Sequence, residues 1–283
     1  MYTLHSVKLT TCADIAYIDE GKGAKTLLFI HGLAGYSQVW EKNVETLKSQ
    51  YRCIAVDLPG NGMSSFADYD YSISFFATCL KEFVEALKLK NLVVVGHSLG
   101  GQIAIYLTGT YPALAEGLVL VAPAGFETFN ELDKNIYQSS FHFFNFFSSD
   151  ENNLAKSITT SFYHYSDQAD GLISNLQRLL KRYPARVYRA MIEKCIKGML
   201  SEPVFHWLPL IQQRTLVIFG ERDIFIPNRL LHPYNTRQVA ETGVAQLKKG
   251  TLEMLPRSGH FVQWEKYKEV NRIIQEFMNE PKQ

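Results

Sequence analysis

An excess of charge of either sign is missing from this chain: 29 Lys plus Arg stand against 28 Asp plus Glu, a formal net charge of +1. No basic arm or acidic tail interrupts that balance, so neither nucleic acid nor an anionic membrane surface is indicated as a partner. Cysteine is scarce. Cys12, Cys53, Cys79 and Cys195 form no C-x-x-C pair and none of the Cys/His spacings of a zinc site. Without an H-E-x-x-H, a P-loop or a dinucleotide fingerprint, no metal or organic cofactor is implied. No run approaches the roughly 18 apolar residues of a membrane span. Met1–Val7 has neither a basic n-region nor an apolar h-region, and a reducing, cytoplasmic setting is the expectation. Internal repeats and low-complexity linkers are absent too. A small-molecule substrate is the partner left, and the oligomeric state has no signature.

At 283 residues the chain can bury a sizeable core, and 46% hydrophobic against 20% charged residues is an ordinary globular balance. Leu27–Ile30, Cys53–Val56, Leu92–Val95, Leu118–Val121, Leu216–Phe219 and Leu252–Leu255 are short, continuous apolar runs. Such runs suit strands covered on both faces of a parallel sheet. Val7–Leu9 and Asp14–Ile18 read as two more strands, a hairpin at the sheet edge. Helical patterns separate the runs at Val39–Leu47, Ser74–Leu87, Gln102–Thr108 and Tyr267–Met278. This alternation predicts an α/β fold with a doubly wound, mostly parallel eight-stranded sheet. It stops at Val121-Ala122-Pro123-Ala124-Gly125 and resumes near Thr215. The segment between is helical in character and rich in aromatics, most densely at Ser140–Phe147. Those rings either pack the insertion onto itself and the core or line an apolar pocket.

Gly96-His97-Ser98-Leu99-Gly100 follows one apolar run and precedes a buried helical pattern from Gly101 to Leu107. G-x-S-x-G between strand and helix is the setting of a nucleophile elbow, where the serine turn is strained and the glycines let strand and helix pack closely. The helix N-terminus favours negative charge at that point. Downstream, Leu216–Gly220 is a strand pattern with Asp223 three residues on, and Leu252–Leu255 leads through a turn to His260. Both stand where a parallel strand ends, the edge at which open α/β folds place their ligands. Phe29-Ile30-His31-Gly32-Leu33-Ala34-Gly35 opens another strand into His-Gly, and Ile54-Ala55-Val56-Asp57-Leu58-Pro59-Gly60 runs a further one into a Gly-rich turn.

From about Ala16 to His260 the chain resembles, motif by motif, an α/β-hydrolase. The resemblance implies a helical cap inserted after strand six, with residues 1–122 and 211–283 as core and 123–210 as cap. It also implies roles. Ser98 is the nucleophile, His260 its base, and Asp223 the group that holds the imidazole in the productive tautomer. The backbone N–H groups of Leu33 and Leu99 form the oxyanion hole. Gly32, Phe126, Ile224, Phe225 and Phe261 are candidate substrate contacts. Glu127 is the rival to Asp223, since some relatives place the acid after strand six. His31 and His97 fit positions where a histidine braces a loop, and Asp57 fits a turn-former. Arg178, Lys181, Arg182, Arg186, Arg189, Lys194 and Lys197 could answer an anionic substrate, but Pro184 interrupts the stripe and a solvated face explains them better.

Serine at the elbow argues against haloalkane dehalogenases and epoxide hydrolases, which use aspartate there, and His31-Gly32-Leu33-Ala34 lacks their His-Gly-x-Pro string. Gly259-His260-Phe261-Val262-Gln263-Trp264-Glu265 looks like the closing segment of meta-cleavage C–C hydrolases, although those usually carry asparagine where His97 stands. The expected activity is hydrolysis of a small to medium, apolar carboxylic ester through an acyl-enzyme. A C–C bond hydrolase of a diketone-type substrate and a hydrolase-fold ligand receptor with little turnover are the alternatives. Asp223 and His260 lie 260 − 223 = 37 residues apart, more than one helix and one strand need. Pro227 and Pro233 oppose continuous helix over Ile226–Tyr234, and helical character returns at Thr236–Ala245. This excursion is either surface packing or one wall of the pocket.

Overall fold

In the computed structural model, which describes residues 2–10, 14–144, 158–165 and 169–280, the apolar runs are strands whose alternate side chains enter two separate cores. Leu28 and Ile30 of β3 (Thr26–Ile30) join one core, Leu27 and Phe29 the other. In β5 (Leu92–His97), Val94 goes one way and Val93 and Val95 the opposite way. Period two is the strand's own geometry, so a strand covered on both faces has to be apolar at every position.

β1 (Leu4–Lys8), β2 (Asp14–Glu20), β4 (Arg52–Val56), β6 (Gly117–Val121), β7 (Arg214–Gly220) and β8 (Gly250–Leu255) complete an eight-stranded sheet in the order β1-β2-β4-β3-β5-β6-β7-β8. β2 pairs antiparallel with β1 and with β4, and every other pairing is parallel. β1 begins at Leu4 rather than Val7. Its side chains are mostly exposed, so apolar patterning could not locate it.

Helices cover both faces. α1 (Glu41–Leu47) sends Val44 and Leu47 into the core that holds Leu27, and a 3-10 turn at Ser37–Trp40 precedes it. On the other face, α2 (Ile73–Ala86) buries Phe76, Leu80 and Phe83, and α3 (Leu99–Thr110) buries Ile103 and Leu107. α3 starts at Leu99, three residues earlier than its apolar pattern suggests, because its first turn contains Gly100 and Gly101, which carry no side chain to show a period.

Between β6 and β7 lie α4 (Glu131–Phe144), α5 (Asp170–Leu180), α6 (Ala185–Ser201) and a 3-10 turn at Phe205–Leu210. Among the described residues, none from 123 to 210 belongs to a strand. Leu172 and Leu176 of α5 join one core and Tyr188 and Ile192 of α6 the other, so this insertion touches the packing of both faces. In the aromatic stretch Ser140–Phe147, the side chains of 140–144 and the whole of 145–147 lie outside the described residues. After β7, residues 224–235 form neither helix nor strand, as the two prolines there require. α7 (Thr236–Val244) then starts at a capping box in which the Asn235 side chain accepts the Gln238 N–H and the Gln238 side chain accepts the Asn235 N–H. α8 (Val262–Glu265) and α9 (Tyr267–Asn279) close the chain, α9 burying Val270, Ile274 and Phe277 beside α1.

Candidate active site

Ser98 occupies the single-residue turn between β5 and α3 at φ 53°, ψ −120°, a backbone conformation that side chains rarely adopt and that costs on the order of 1–3 kcal/mol. The turn is held by its surroundings. Ser98 N–H donates to the Val121 carbonyl at 3.0 Å, and the Ser98 carbonyl accepts from Ala124 at 2.9 Å. Two glycines make the turn possible through close approach. A Cβ on Gly96 would stand 2.3 Å from the Gly100 carbonyl oxygen, and one on Gly100 would stand 2.5 Å from that of Ile30. Both contacts are backbone and cannot swing away.

Asp223, three residues past β7, is completely buried. Its Oδ1 accepts the N–H groups of Phe225 at 2.8 Å and Ile226 at 3.1 Å, which orients the carboxylate, and Oδ2 accepts His260 Nδ1–H at 2.8 Å. That bond assigns the proton to Nδ1 and leaves Nε2 as the basic nitrogen. The His260 ring is steadied edge-on against Phe225 at 5.3 Å and lies 4.8 Å from His97. Glu127 pairs elsewhere. His232 Nδ1 donates to its Oε1, and the Asn228 N–H donates to the same oxygen at 2.8 Å.

Two further histidines brace the loops around this site. His31 donates from Nδ1 to the Gly32 carbonyl at 2.7 Å and accepts the Leu58 N–H on Nε2 at 3.0 Å. Burial lowers its pKa to about 4, against the opposing effect of the Gly32 bond. His97 donates from Nε2 to the His260 carbonyl at 3.0 Å. Burial first, and the nearby His260 second, hold it well below the ordinary imidazole value. Both rings are therefore neutral struts at neutral pH. Asp57 does more than form a turn: buried, it accepts the Ser37 N–H at 2.7 Å and the Met63 N–H at 2.8 Å.

Ser98 and His260 open on one cavity of about 390 Å³, within the range of small-molecule sites. Leu33 and Leu99 line it as well, and among the described residues neither backbone N–H is paired with another protein group. Of the candidate substrate contacts, Gly32, Ile224, Phe225 and Phe261 line the cavity. Phe126 does not. It is 3% exposed, its ring 6.3 Å from that of Phe219, and α7 packs over it so closely that a Cβ on Gly243 would stand 2.1 Å from the ring. A large apolar side chain just past β6 fills the gap between β7 and α7 rather than the pocket. None of the seven basic residues between Arg178 and Lys197 reaches the cavity; Arg229, from the excursion after Asp223, does, beside Asn228 and Leu230. The first part of the excursion, from Ile224 to Leu230, therefore lines the cavity, whereas residues 231–235 do not.

One connection had no sequence signal assigned to it. Glu265 accepts the Gly259 N–H at 2.6 Å on one oxygen and the His164 N–H at 2.9 Å on the other, while burial raises its pKa. The His260 N–H donates to the Ser161 carbonyl at 2.9 Å, and Phe162 stacks on Phe261 at 5.2 Å, within 5° of parallel. The turn that carries His260 is thus fastened to residues 161–164 of the insertion.

Among the described residues no helix is long and apolar enough to cross a membrane. Over 285 aligned residues, 94% of this chain and 92% of the relative, the chain is 27% identical to 2-hydroxy-6-oxononadienedioate/2-hydroxy-6-oxononatrienedioate hydrolase 1 of Pseudomonas putida. Over 112 residues it is 36% identical to the dihydrolipoyllysine-residue acetyltransferase component of the acetoin cleaving system of Cupriavidus necator, but that match covers 40% of this chain and only 30% of the relative's length. An esterase from Exiguobacterium antarcticum shares the fold at a TM-score of 0.81 and 20% identity, over 99% of this chain and 100% of that one. The family model for the alpha/beta hydrolase fold matches residues 25–267: the chain belongs to the α/β-hydrolase fold family.

Proposed function

We propose that this chain hydrolyses carboxylic esters through an acyl-enzyme on Ser98. The observation that carries the reading is the Asp223–His260 hydrogen bond opening, with Ser98 and two unpaired N–H groups, on a single largely apolar cavity. Ser98 Oγ attacks the ester carbonyl as His260 Nε2 takes its proton, and Asp223 stabilises the imidazolium that forms. The N–H groups of Leu33 and Leu99 meet the charge on the carbonyl oxygen. His260 then protonates the departing alcohol, and water repeats the sequence on the acyl group. Residues 123–210 act as a cap whose helices shape the apolar walls.

Turnover of short p-nitrophenyl esters tests the reading. Ser98→Ala should fold and lose that turnover by several orders of magnitude, and a fluorophosphonate should add one label, at Ser98. Full activity in the alanine variant, or labelling elsewhere, would sink it. A second reading, C–C bond hydrolysis of a diketone-type substrate, is supported by the near-full-length likeness to the P. putida hydrolase and by the string Gly259–Glu265. Faster turnover of such a substrate than of any ester would favour it, and tight binding without turnover of either would favour a receptor.

A further inference from the structure

Glu127 is the one carboxylate among the described residues that line the cavity. Its side chain is 6% exposed, yet both hydrogen bonds it makes with the described residues fall on Oε1, from His232 and Asn228. Among the described residues no group bonds Oε2, and the side chain that carries it lines the cavity. His232 is gripped from both ends, its Nε2 3.8 Å from Asp133 Oδ2 and its ring stacked 4.9 Å from Tyr234. Two carboxylates around one imidazole cannot give a positive cluster. Among the described residues no group of three His, Cys, Asp or Glu side chains is disposed to hold a metal ion.

The cavity walls are also unlike one another. Tyr36, Val39, Leu172, Leu176 and Phe261 pack with one core and carry no charge, whereas Phe129 and Tyr137 beside Glu127 pack with the other.

We infer that Glu127 Oε2 is a specificity-determining acceptor for a hydrogen-bond donor, a hydroxyl or a primary ammonium, carried by one half of an otherwise apolar ester. This rests on the ester-hydrolase reading of the cavity. A desolvated acceptor discriminates because an alkyl group leaves it unpaired, and a substrate carboxylate meets like charge. The chain therefore disfavours dicarboxylates of the kind in the name of its P. putida relative.

The test uses two ester series, one varied at the end of the acyl chain and one at the end of the alcohol, each with methyl, hydroxyl, ammonium and carboxylate termini of equal length. In one series the hydroxyl or ammonium member should exceed the methyl member by about tenfold or more in kcat/KM, with carboxylate the poorest. Glu127→Gln supplies a second arm. Its Oε1 still serves His232 and Asn228, which puts NH₂ where Oε2 stood, so carboxylate should rise above hydroxyl and ammonium. If that variant fails to fold by circular dichroism, the wild-type order alone decides. A flat wild-type order in both series overturns the inference, and so does a carboxylate preference, which would hand control to Arg229 at the rim. Either result leaves the ester reading intact, whereas no turnover of any ester removes both.

Discussion

Acid should weaken this fold through His31, and the size of the effect follows from its surroundings. In the folded chain the ring is buried, donating to Gly32 and accepting from Leu58, and its pKa falls from 6.5 to about 4. Between those values the unfolded chain binds a proton that the folded chain refuses. Stability then rises with pH across that window and is lost as pH falls from 6.5 toward 4, with no further change from this group below 4. At about 1.36 kcal/mol for each tenfold change in proton affinity, the full loss is roughly 3 kcal/mol. His31→Asn removes the titration. It will be less stable at neutral pH, because the Leu58 N–H loses its acceptor, so the slope is the informative quantity. Urea unfolding of both chains from pH 7.5 to 4 should show the gap between them closing by about 3 kcal/mol as pH falls. With an unfolding entropy of about 2.1 cal/mol/K per residue, the same change moves the melting temperature of a chain this long by roughly 5–6 °C. His97 titrates in the same direction in both chains and cancels. Parallel stability profiles would refute the argument, since a neutral strut at residue 31 cannot leave them parallel.

Asp223→Asn should lower kcat on ester substrates by on the order of 10⁴, because His260 is then free to take the wrong tautomer; a loss below about tenfold would return the acid role to Glu127. Gly100→Ala should lower stability by about 2–3 kcal/mol or more, since the new Cβ meets the Ile30 carbonyl and neither backbone can yield; a thermal melt coincident with wild type would contradict that close approach. Glu265→Ala should lower kcat more than it raises KM by loosening the turn that carries His260, and Glu265→Gln, which still offers an acceptor to Gly259, should recover much of it. Equal losses in the two variants would mean that Glu265 only packs.

What could be read from the sequence was what is local. β3, β5, β6 and β7 announce themselves because burial on both faces forces unbroken apolar runs, and the elbow does because only glycine fits at positions 96 and 100 around Ser98. β1, exposed along most of its length, carried no such signal. Asp223 was preferred to Glu127 on the family pattern around Gly220–Asp223, but the partner that occupies Glu127 was not legible, because only the folded chain brings His232 to it while His260 bonds to Asp223. The His232–Glu127 pair spans 105 residues and the Glu265–His164 bond 101, and no periodicity reports contacts of that range. Phe126 went astray for a related reason. Its neighbours on α7 arrive more than a hundred residues later and decide whether it meets core or pocket.

The fastening of residues 161–164 to Glu265 and Phe261 bears on how substrate range could be re-engineered in this chain. Exchanging the insertion for that of a relative would look like a change of pocket lining alone. Here the graft would also remove the carbonyl that receives the His260 N–H, the stacking partner of Phe261 and a donor to the Glu265 carboxylate. A chimaera would inherit a new pocket with a loosened His260 and, on the role proposed for that residue, would report poor chemistry where only specificity was meant to change. Carrying Ser161–His164 across with the recipient's own sequence keeps the two properties separable.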